Sequence, residues 1–274
     1  MTISDILMQA CSAVFEKTKN IIGTVEGSKK FDRGAGGDVS TKIDLVAEQA
    51  VIETIRNSDL NPTIIGEECG KIPGEKGLII MDAIDGTTNA NRGIPFYCCS
   101  LAYSIGSDLS SVVDAAIIDL ARGDIYHASR NKGAYINSNK LKVTKNIASG
   151  DHTDSVKDDI LIGMNVSGAP RDIINRLAGV ISGVTHTRLL GANALELCYL
   201  ARGFTDAFVD FRGKIRTTDM AAAYLVVKES GGKLYSINGS ELDSKLETNR
   251  GLSFLAVRNS EIFHRLAHDL HIFD

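Results

Sequence analysis

The apolar segment "LIIM" runs directly into two aspartates three residues apart, Asp82 and Asp85, and the sequence "GTT" follows them at once. A short apolar run bounded by turn residues predicts a buried strand, so both carboxylates are expected where that strand ends. A second apolar segment, "TIIG", ends in the same way at Glu67 and Glu68. The chain therefore needs a fold in which buried strands deliver acidic side chains at their ends.

The pattern of apolar residues changes about half-way along the 274-residue chain, which is long enough for one large domain or two smaller ones. The first part predicts two helices, with the Gly-rich, charged segment 26–38 between them as a mobile surface loop, and then an antiparallel meander. The later part alternates strands and helices, which indicates an α/β arrangement. We therefore divide the chain into an N-terminal α+β half, 1–145, and a C-terminal α/β half, 146–274.

Composition excludes two classes of partner. The formal net charge is −4, so the chain lacks the basic surface that binds a phosphate backbone, and no nucleic acid partner is expected. No apolar stretch approaches the roughly 20 residues of a membrane-spanning helix, so no membrane partner is expected either. The five cysteines are odd in number and lack Cys-x-x-Cys spacing, which favours reduced, buried thiols in a cytoplasmic protein.

The acidic strand ends have the chemistry of a magnesium site. Mg²⁺ prefers oxygen ligands in an octahedral array and keeps several waters and substrate phosphate oxygens, so it needs carboxylates from several elements at one cleft. Such carboxylates follow both apolar segments, and Asp219 starts the helical segment "TDMAAAYLVVKES". The carbonyl of Ile84 can turn toward the same ion if the backbone bends there. Gly86 should open a short helix whose free N–H groups point at an anion, which predicts a phosphate site beside the metal site.

The same residues also have structural interpretations. Asp and Gly are ordinary turn residues, and Thr217 or Thr218 can cap the helix that starts near Asp219, which leaves that carboxylate beside the helix dipole. Asp44 can be a charge on an exposed helix face. Because three separate segments agree, we favour metal binding over turn and cap formation.

Five segments resemble, in order and over nearly the whole chain, the inositol monophosphatase family of magnesium-dependent, lithium-sensitive phosphatases. They are "STKID" at 40–44, "GEE" at 66–68, "DAIDGTTNANRGIPF" at 82–96, "RLLGANALELCYLARGFTDAFVD" at 188–210 and "TTDMAAAYLVVKESGG" at 217–232. The resemblance implies the sugar phosphatase fold, an α/β sandwich layered α-β-α-β-α. It also implies a homodimer.

The resemblance further implies a role for each matching position. Two or three Mg²⁺ ions would be bound by Glu67, Asp82, the Ile84 carbonyl, Asp85 and Asp219. Asp44 and Thr87 would orient and deprotonate the attacking water, with Glu68 in support. The phosphate and the polyol or sugar would contact Asp85, Gly86, Thr87, Gly191, Ala192, Asn193 and Asp219. Most metal ligands thus fall in the N-terminal half, whereas Asp219 and most substrate-binding residues fall in the C-terminal half.

Some positions depart from the usual family pattern, although none of the changes removes a ligand. Ala83, Ala90 and Thr218 stand where proline, an aromatic residue and tryptophan are common. The basic segment "VDFRGKIRTTD" resembles archaeal members that hydrolyse both fructose 1,6-bisphosphate and inositol 1-phosphate. Its cations, together with one nearby arginine, are candidates to hold a second phosphate: Arg188, Arg212, Lys214 and Arg216. The alternative is that these cations simply face solvent on a loop between a strand and a helix.

We therefore expect magnesium-dependent hydrolysis of a small phosphorylated polyol or sugar, inositol 1-phosphate, fructose 1,6-bisphosphate or both. With no Gly-x-Ser-x-Gly elbow and no recognisable cysteine nucleophile, direct attack by metal-activated water is favoured over a covalent phosphoenzyme. A second enzyme hypothesis is a 3'(2'),5'-bisphosphate nucleotidase, because related phosphatases share these metal motifs. A hypothesis of a different class is a catalytically silent protein that only binds a phosphate ligand.

Overall fold

The computed structural model describes residues 1–37, 39–143, 159–246, 251–270 and 272, and the boundary predicted near residue 146 lies outside them. The helices are α1 (Ile3–Thr18), α2 (Lys42–Arg56), α3 (Thr87–Arg92), α4 (Arg171–Gly183), α5 (Asn193–Arg202), α6 (Thr217–Ser230) and α7 (Ser260–Asp269). The strands are β1 (Lys30–Arg33), β2 (Val39–Thr41), β3 (Thr63–Gly66), β4 (Gly70–Ile72), β5 (Leu78–Asp85), β6 (Cys98–Ser104), β7 (Val112–Asp119), β8 (Ile125–Ser129), β9 (Gly133–Ile136), β10 (Asn139–Lys140), β11 (Leu161–Met164), β12 (His186–Arg188), β13 (Ala207–Ile215), β14 (Lys233–Ser236) and β15 (Leu252–Val257).

Two large sheets organise the described residues. One has eight strands in the order β10-β9-β8-β7-β6-β5-β3-β4, and the other has five in the order β12-β11-β13-β15-β14. Strands β6 to β9 are consecutive antiparallel neighbours, so the predicted meander is confirmed. The five-stranded sheet combines parallel and antiparallel pairs and carries helices between its strands, as the alternating pattern after residue 145 predicts.

Alternating side chains place each sheet between two layers of helices. On β6, Cys99 and Leu101 pack with α1 and α2, whereas Cys98 and Ala102 point to the opposite face and pack with α5 and α6. On β15, Phe254 packs toward α5 and α6, whereas Leu255 and Val257 pack toward α4 and α7. This period of two is the one that a strand buried on both faces requires. The predicted α-β-α-β-α layering is therefore confirmed.

Helix α6 lies at the centre of the molecule and is apolar on nearly all sides, as expected for a helix packed between two sheets. Its small residues, including Ala221, Ala222 and Ala223, are at most 1% exposed. The larger side chains of the facing sheet, Phe208 and Phe254, fill the adjoining space. Because α6 is fixed along its length, the acidic residue in its first turn is held rigidly.

Part of the segment 26–38 forms strand β1, where the sequence predicts a mobile loop. Strands β1 and β2 pair in antiparallel fashion, although every residue of β1 is exposed and shows no apolar alternation that could reveal a strand. Beyond β1, the backbone N–H groups of Ala35 and Gly36 donate to the carbonyls of Glu68 and Glu67 at 3.2 and 2.7 Å. This segment thus packs against the acidic end of β3.

Two predictions from composition can be compared with the structure. All five cysteines are free thiols, and four of them are buried, as predicted. Among the residues that the structure describes, none of the helices combines the length and the apolar character needed to cross a lipid bilayer.

Candidate metal and phosphate site

The two aspartates of the opening segment lie within β5 and not after it. Asp82 is opposite Ser100 on β6, and Asp85 is opposite Cys98. The chain therefore advances three residues along β5 while it advances two along β6. This extra residue is a β-bulge, which bends the strand. In the bulge, the N–H of Ile84 donates to the Asp82 carboxylate at 3.1 Å. The bend that the sequence analysis requires between the two aspartates is therefore present.

Three carboxylates from different elements meet at this end of β5. Glu67 directly follows β3, Asp82 lies on β5, and Asp219 lies in the first turn of α6. One oxygen from each side chain lies within 4.8 Å of the others. Ligand oxygens on opposite sides of one Mg²⁺ ion stand about 4.2 Å apart, and all three donors are the hard oxygens that this ion prefers. The donor set therefore fits a divalent cation, and we call these three residues the acidic cluster.

Burial and mutual repulsion make the charged form of the acidic cluster unfavourable. Burial raises the pKa of Glu67 to about 7, and the charges of Asp219 and Glu68 add to this although Arg216 opposes it. Burial also raises the pKa of Asp82, and the neighbouring carboxylates raise it further. Like charges that share a buried site favour protonation or a bound cation. The acidic cluster therefore has an excess of negative charge that a metal ion would neutralise.

Asp85 joins the two halves of the chain. Its Oδ2 accepts a hydrogen bond from the N–H of Ala194 at 2.6 Å, and the thiol of Cys98 lies 3.7 Å from the same oxygen. Ala192, the N-cap of α5, has no polar side chain, so Asp85 takes over the capping. Burial and the charge of Asp219 raise the pKa of Asp85 to about 7. Asp85 thus caps a helix, and its position also leaves it beside the acidic cluster.

Arg216 is the N-cap of α6, where the structural alternative expected Thr217 or Thr218. Its guanidinium donates to both Glu67 oxygens at 2.7 and 2.6 Å and to Asp219 Oδ1 at 3.2 Å. Its backbone N–H donates to Asp219 Oδ2 at 3.0 Å. Arg216 therefore lies in the acidic cluster, although the sequence analysis placed it with the candidates for a second phosphate.

Asp44 and Thr87 meet as the resemblance implies. Thr87 Oγ1 lies 3.2 Å from Asp44 Oδ1 and 3.0 Å from the Ile84 carbonyl oxygen. The other Asp44 oxygen accepts from the N–H and the hydroxyl of Thr41 at 2.8 and 2.6 Å, so Asp44 also completes the cap of α2. Asp44 is only 6% exposed, so it is not a charge on an exposed helix face. Burial raises its pKa, which favours a carboxylate able to accept a proton.

A buried glutamate that the sequence analysis did not select supports this region. The two carboxylate oxygens of Glu48 accept from the N–H groups of Glu68 and Cys69 at 2.9 and 2.8 Å. The Glu68 side chain in turn accepts from the hydroxyl of Ser40. Glu48 lies one helical turn after Asp44, and that spacing is the signal that could have identified it. One small pocket, beside Ala83 and Ile84, is lined by five acidic side chains: Asp44, Glu48, Glu67, Glu68 and Asp82.

The predicted substrate segments pack against each other beside Asp85. Gly86 has φ +90°, and a Cβ there would lie 3.0 Å from the Cβ of Ala192 and 3.1 Å from a backbone oxygen, so glycine is required. The amide of Asn89 donates to the Leu190 carbonyl at 2.7 Å and links α3 to the following segment. The structure thus brings together the N-terminus of α3 and the segment that holds Gly191, Ala192 and Asn193.

A second buried acid, Glu196, shapes this substrate segment and was also not selected. Its Oε1 accepts from the N–H of Gly191 at 3.0 Å, whereas its buried Oε2 has no hydrogen-bond partner among the described residues. Burial raises its pKa to about 8. The sequence signal is a charged residue on the otherwise apolar helix "ALELCYLA".

The other basic candidates contact residues outside the acidic cluster. Arg212 donates through Nε to both oxygens of the fully buried Asp210 at 3.0 Å. Its Nη1 donates to the Ser167 carbonyl at 3.1 Å. Lys214 is exposed and donates to the Gly168 carbonyl at 2.9 Å. Arg188 is exposed at the edge strand β12. Asp210 and Arg212 are two positions apart on β13, and this spacing places both side chains on one face of the strand.

Comparison with known proteins agrees with this geometry. The pattern of the inositol monophosphatase family matches residues 2–271. The chain belongs to the inositol monophosphatase family. A fructose-1,6-bisphosphatase/inositol-1-monophosphatase of Methanothermobacter thermautotrophicus is 32% identical over 92% of this chain and 90% of that protein. A bifunctional NADP phosphatase/NAD kinase of Methanococcus maripaludis is 28% identical over 97% of this chain and 48% of that protein.

Solved structures show the same architecture. A crystal structure described as an inositol monophosphatase-fructose 1,6 bisphosphatase is 26% identical, has a TM-score of 0.84 and covers 98% of this chain and 100% of its own. A protein of Pyrococcus horikoshii with similarities to inositol-1 monophosphatase is 27% identical, has a TM-score of 0.81 and covers 98% of each chain. The family is one of phosphatases, the Methanothermobacter and Methanococcus relatives are named as phosphatases, and the acidic cluster fits the metal dependence of the family.

Proposed function

We propose that this protein uses Mg²⁺ to hydrolyse the phosphate monoesters of inositol 1-phosphate and fructose 1,6-bisphosphate. The observation that carries the proposal is the acidic cluster, whose three carboxylates converge within 4.8 Å beside the Asp44 and Thr87 pair. Among the residues that the structure describes, one arginine contacts that cluster, so negative charge remains for cations to neutralise. A fold that needed these acids only as caps would not bring them together.

The residues of the chain divide the work of the reaction. Glu67, Asp82, the Ile84 carbonyl, Asp85 and Asp219 would hold the magnesium ions, which when bound activate water and neutralise phosphate oxygens. Thr87 would take a proton from the attacking water as it passes its own hydroxyl proton to Asp44. The 3.2 Å distance from Thr87 Oγ1 to Asp44 Oδ1 and the raised pKa of Asp44 support this relay. Glu68, held by Ser40, supports this end of the site.

Substrate binding combines both halves of the chain. The N–H groups of Gly86 and Thr87 at the start of α3 are free of helix partners and would hold the phosphate. Gly191, Ala192 and Asn193 would contact the polyol or sugar. We propose that residues 1–145 supply most metal ligands, whereas 146–274 supply Asp219 and this substrate segment. Lys214 and Arg188 are the exposed cations available for a second phosphate, and Arg212 would act mainly by fixing Asp210.

The cellular setting belongs to the same proposal. Five free cysteines fit the reducing cytoplasm, where we expect the protein to act. We also propose a homodimer, as the resemblance to the family implies. Light scattering coupled to gel filtration should then give a mass twice that of the 274-residue chain.

Phosphate release from a panel of esters tests the proposed function. The panel contains inositol 1-phosphate, fructose 1,6-bisphosphate, adenosine 3',5'-bisphosphate and NADP, each with Mg²⁺ or with EDTA. The proposal expects release from the first two that EDTA abolishes. Faster release from adenosine 3',5'-bisphosphate would favour the nucleotidase hypothesis, and binding without any release would favour the silent binding protein. Trapping of a phosphorylated protein would contradict direct attack by water.

A further inference from the structure

Arg216 occupies the oxygens that a metal ion would need. It contacts both oxygens of Glu67 and one of Asp219 through its guanidinium, and the other Asp219 oxygen through its backbone N–H. The acidic cluster carries three negative charges when ionised, and Arg216 contributes one positive charge. The remaining charge is −2, which a single divalent cation would neutralise.

Gly36 lies close to both Arg216 and its partner Glu67. A Cβ on this glycine would lie 2.9 Å from the Arg216 Nη1 and 3.0 Å from the Glu67 Cγ. The N–H of Gly36 also donates to the Glu67 carbonyl at 2.7 Å. The guanidinium therefore packs against Gly36 as well as against the acidic cluster, and its side chain is 21% exposed.

We propose that Arg216 is a built-in counter-ion of the cation site. It holds Glu67 and Asp219 together before a cation arrives, and it weakens cation binding because it competes for the same oxygens and repels a second positive charge. Arg216 is thus a positioning residue that sets the cation concentration at which the site fills. This inference rests on the proposed function, in which the acidic cluster binds divalent cations.

Calorimetric titration of metal-free protein with MgCl₂ and with MnCl₂ tests this role directly. Arg216→Gln should bind the first cation on the order of tenfold more tightly than the wild type, because a unit charge at contact distance is removed. Arg216→Lys keeps the charge but not the planar fork, so its Kd should stay closer to that of the wild type. Arg212→Gln is the matched control, since it removes a similar arginine from Asp210 and should leave the Kd unchanged.

Thermal unfolding with and without cation gives a second readout. Without cation, Arg216→Gln should unfold at a lower temperature than the wild type, because the three carboxylates lose their counter-ion. Saturating Mn²⁺ should raise the midpoint of Arg216→Gln more than that of the wild type. Arg212→Gln should lower the midpoint by the same amount in both conditions, since its partner lies outside the acidic cluster.

These outcomes separate the inference from the proposed function. An unchanged or weaker cation Kd in Arg216→Gln would overturn the counter-ion role, even if the wild type hydrolyses its esters. Tighter binding in Arg216→Gln together with no phosphate release by the wild type from any ester would support the counter-ion role and contradict the proposed function. A wild type and variants that bind neither cation would overturn both.

Discussion

Buried acids in the five-stranded sheet and buried acids at the end of the eight-stranded sheet are neutralised in different ways. In the five-stranded region each has its own arginine: Asp206 is 2.9 Å from Arg258, and Asp210 is held by Arg212. At the acidic cluster, three carboxylates are accompanied by one arginine, Arg216, within the described parts of the chain. The first arrangement is balanced in charge, whereas the second is not.

The difference separates structural acids from functional ones. A one-to-one pair satisfies its hydrogen bonds within the protein and leaves nothing for a ligand. A group of like charges that is only partly compensated is kept at a cost to the free energy of folding, and such groups concentrate at functional sites. The burial of an acid is thus less informative than the number of positive charges that accompany it.

Removing one carboxylate from the acidic cluster should have the largest effect on activity. In Asp219→Asn the amide keeps the shape of the side chain but loses its charge, so we expect kcat/KM to fall by about a thousandfold or more. The metal-free variant should be at least as stable as the wild type, because repulsion is relieved. Steady-state kinetics with Mg²⁺ and urea unfolding in EDTA measure the two quantities. Full activity in Asp219→Asn would show that the acidic cluster is no more functional than the paired acids of the five-stranded region.

The matching change in the balanced region should act on stability. Asp210→Asn leaves the Arg212 guanidinium, whose side chain is 10% exposed, without its carboxylate. We expect the free energy of unfolding to fall by about 3 to 5 kcal/mol, the usual effect of breaking a buried pair. Urea unfolding should show this loss equally with Mg²⁺ and with EDTA. A loss that Mg²⁺ reverses would mean that Asp210 belongs to the cation site.

Glu196 provides an intermediate case, a buried acid that makes no ion pair with an arginine of the described residues. Its pKa rises from the ordinary 4.5 to about 8, so the folded state keeps a proton that the unfolded state releases in this window. The free energy of unfolding should therefore fall as the pH rises from about 4.5 to about 8. Glu196→Gln has no proton to release at this position. Between about pH 5 and pH 8, its free energy of unfolding should therefore fall less than that of the wild type, by a few kcal/mol.

The measurement is urea unfolding of both proteins at several pH values in EDTA. The acidic cluster also titrates in this range, but it does so in both proteins, so the difference between them isolates Glu196. Parallel pH profiles would show that Glu196 is already charged in the folded protein at neutral pH.

The smallest expected effect concerns the exposed cations. Lys214→Ala should raise KM for fructose 1,6-bisphosphate a few-fold and leave KM for inositol 1-phosphate unchanged, because an exposed charge contributes about 1 kcal/mol or less. Arg212→Ala should raise KM for both substrates or lower stability, since Arg212 is engaged with Asp210. Equal effects of Lys214→Ala on both substrates would show that Lys214 does not hold the second phosphate.

The sequence predicts most of the architecture because its signals are local. Apolar alternation identifies the meander, and the two helices predicted on either side of the segment 26–38 are present as α1 and α2. The β1 and β2 hairpin was missed because four exposed residues carry no periodic pattern. Pairing of that kind is decided by contacts distant in sequence, here those of Ala35 and Gly36 with the end of β3.

For the site, the carboxylates could be selected from the sequence, but their partners could not. Glu67, Asp82 and Asp219 each follow or start a recognisable element. The role of Arg216 depends on Glu67, which is 149 positions away, and no local pattern reports such a distance. The pairing of Arg212 with Asp210 is local, yet the basic character of the segment suggests only a phosphate contact or exposure to solvent, and neither is an internal ion pair.

Anomalous scattering from crystals soaked in MnCl₂ tests most directly whether the surplus of carboxylates is a cation site. The account predicts a strong peak at about 2.1 to 2.3 Å from oxygens of Glu67, Asp82 and Asp219, close to the ligand distances of such ions, and none beside Asp206 or Asp210. The absence of a peak at the acidic cluster at saturating Mn²⁺, or an equal peak beside the paired acids, would contradict it.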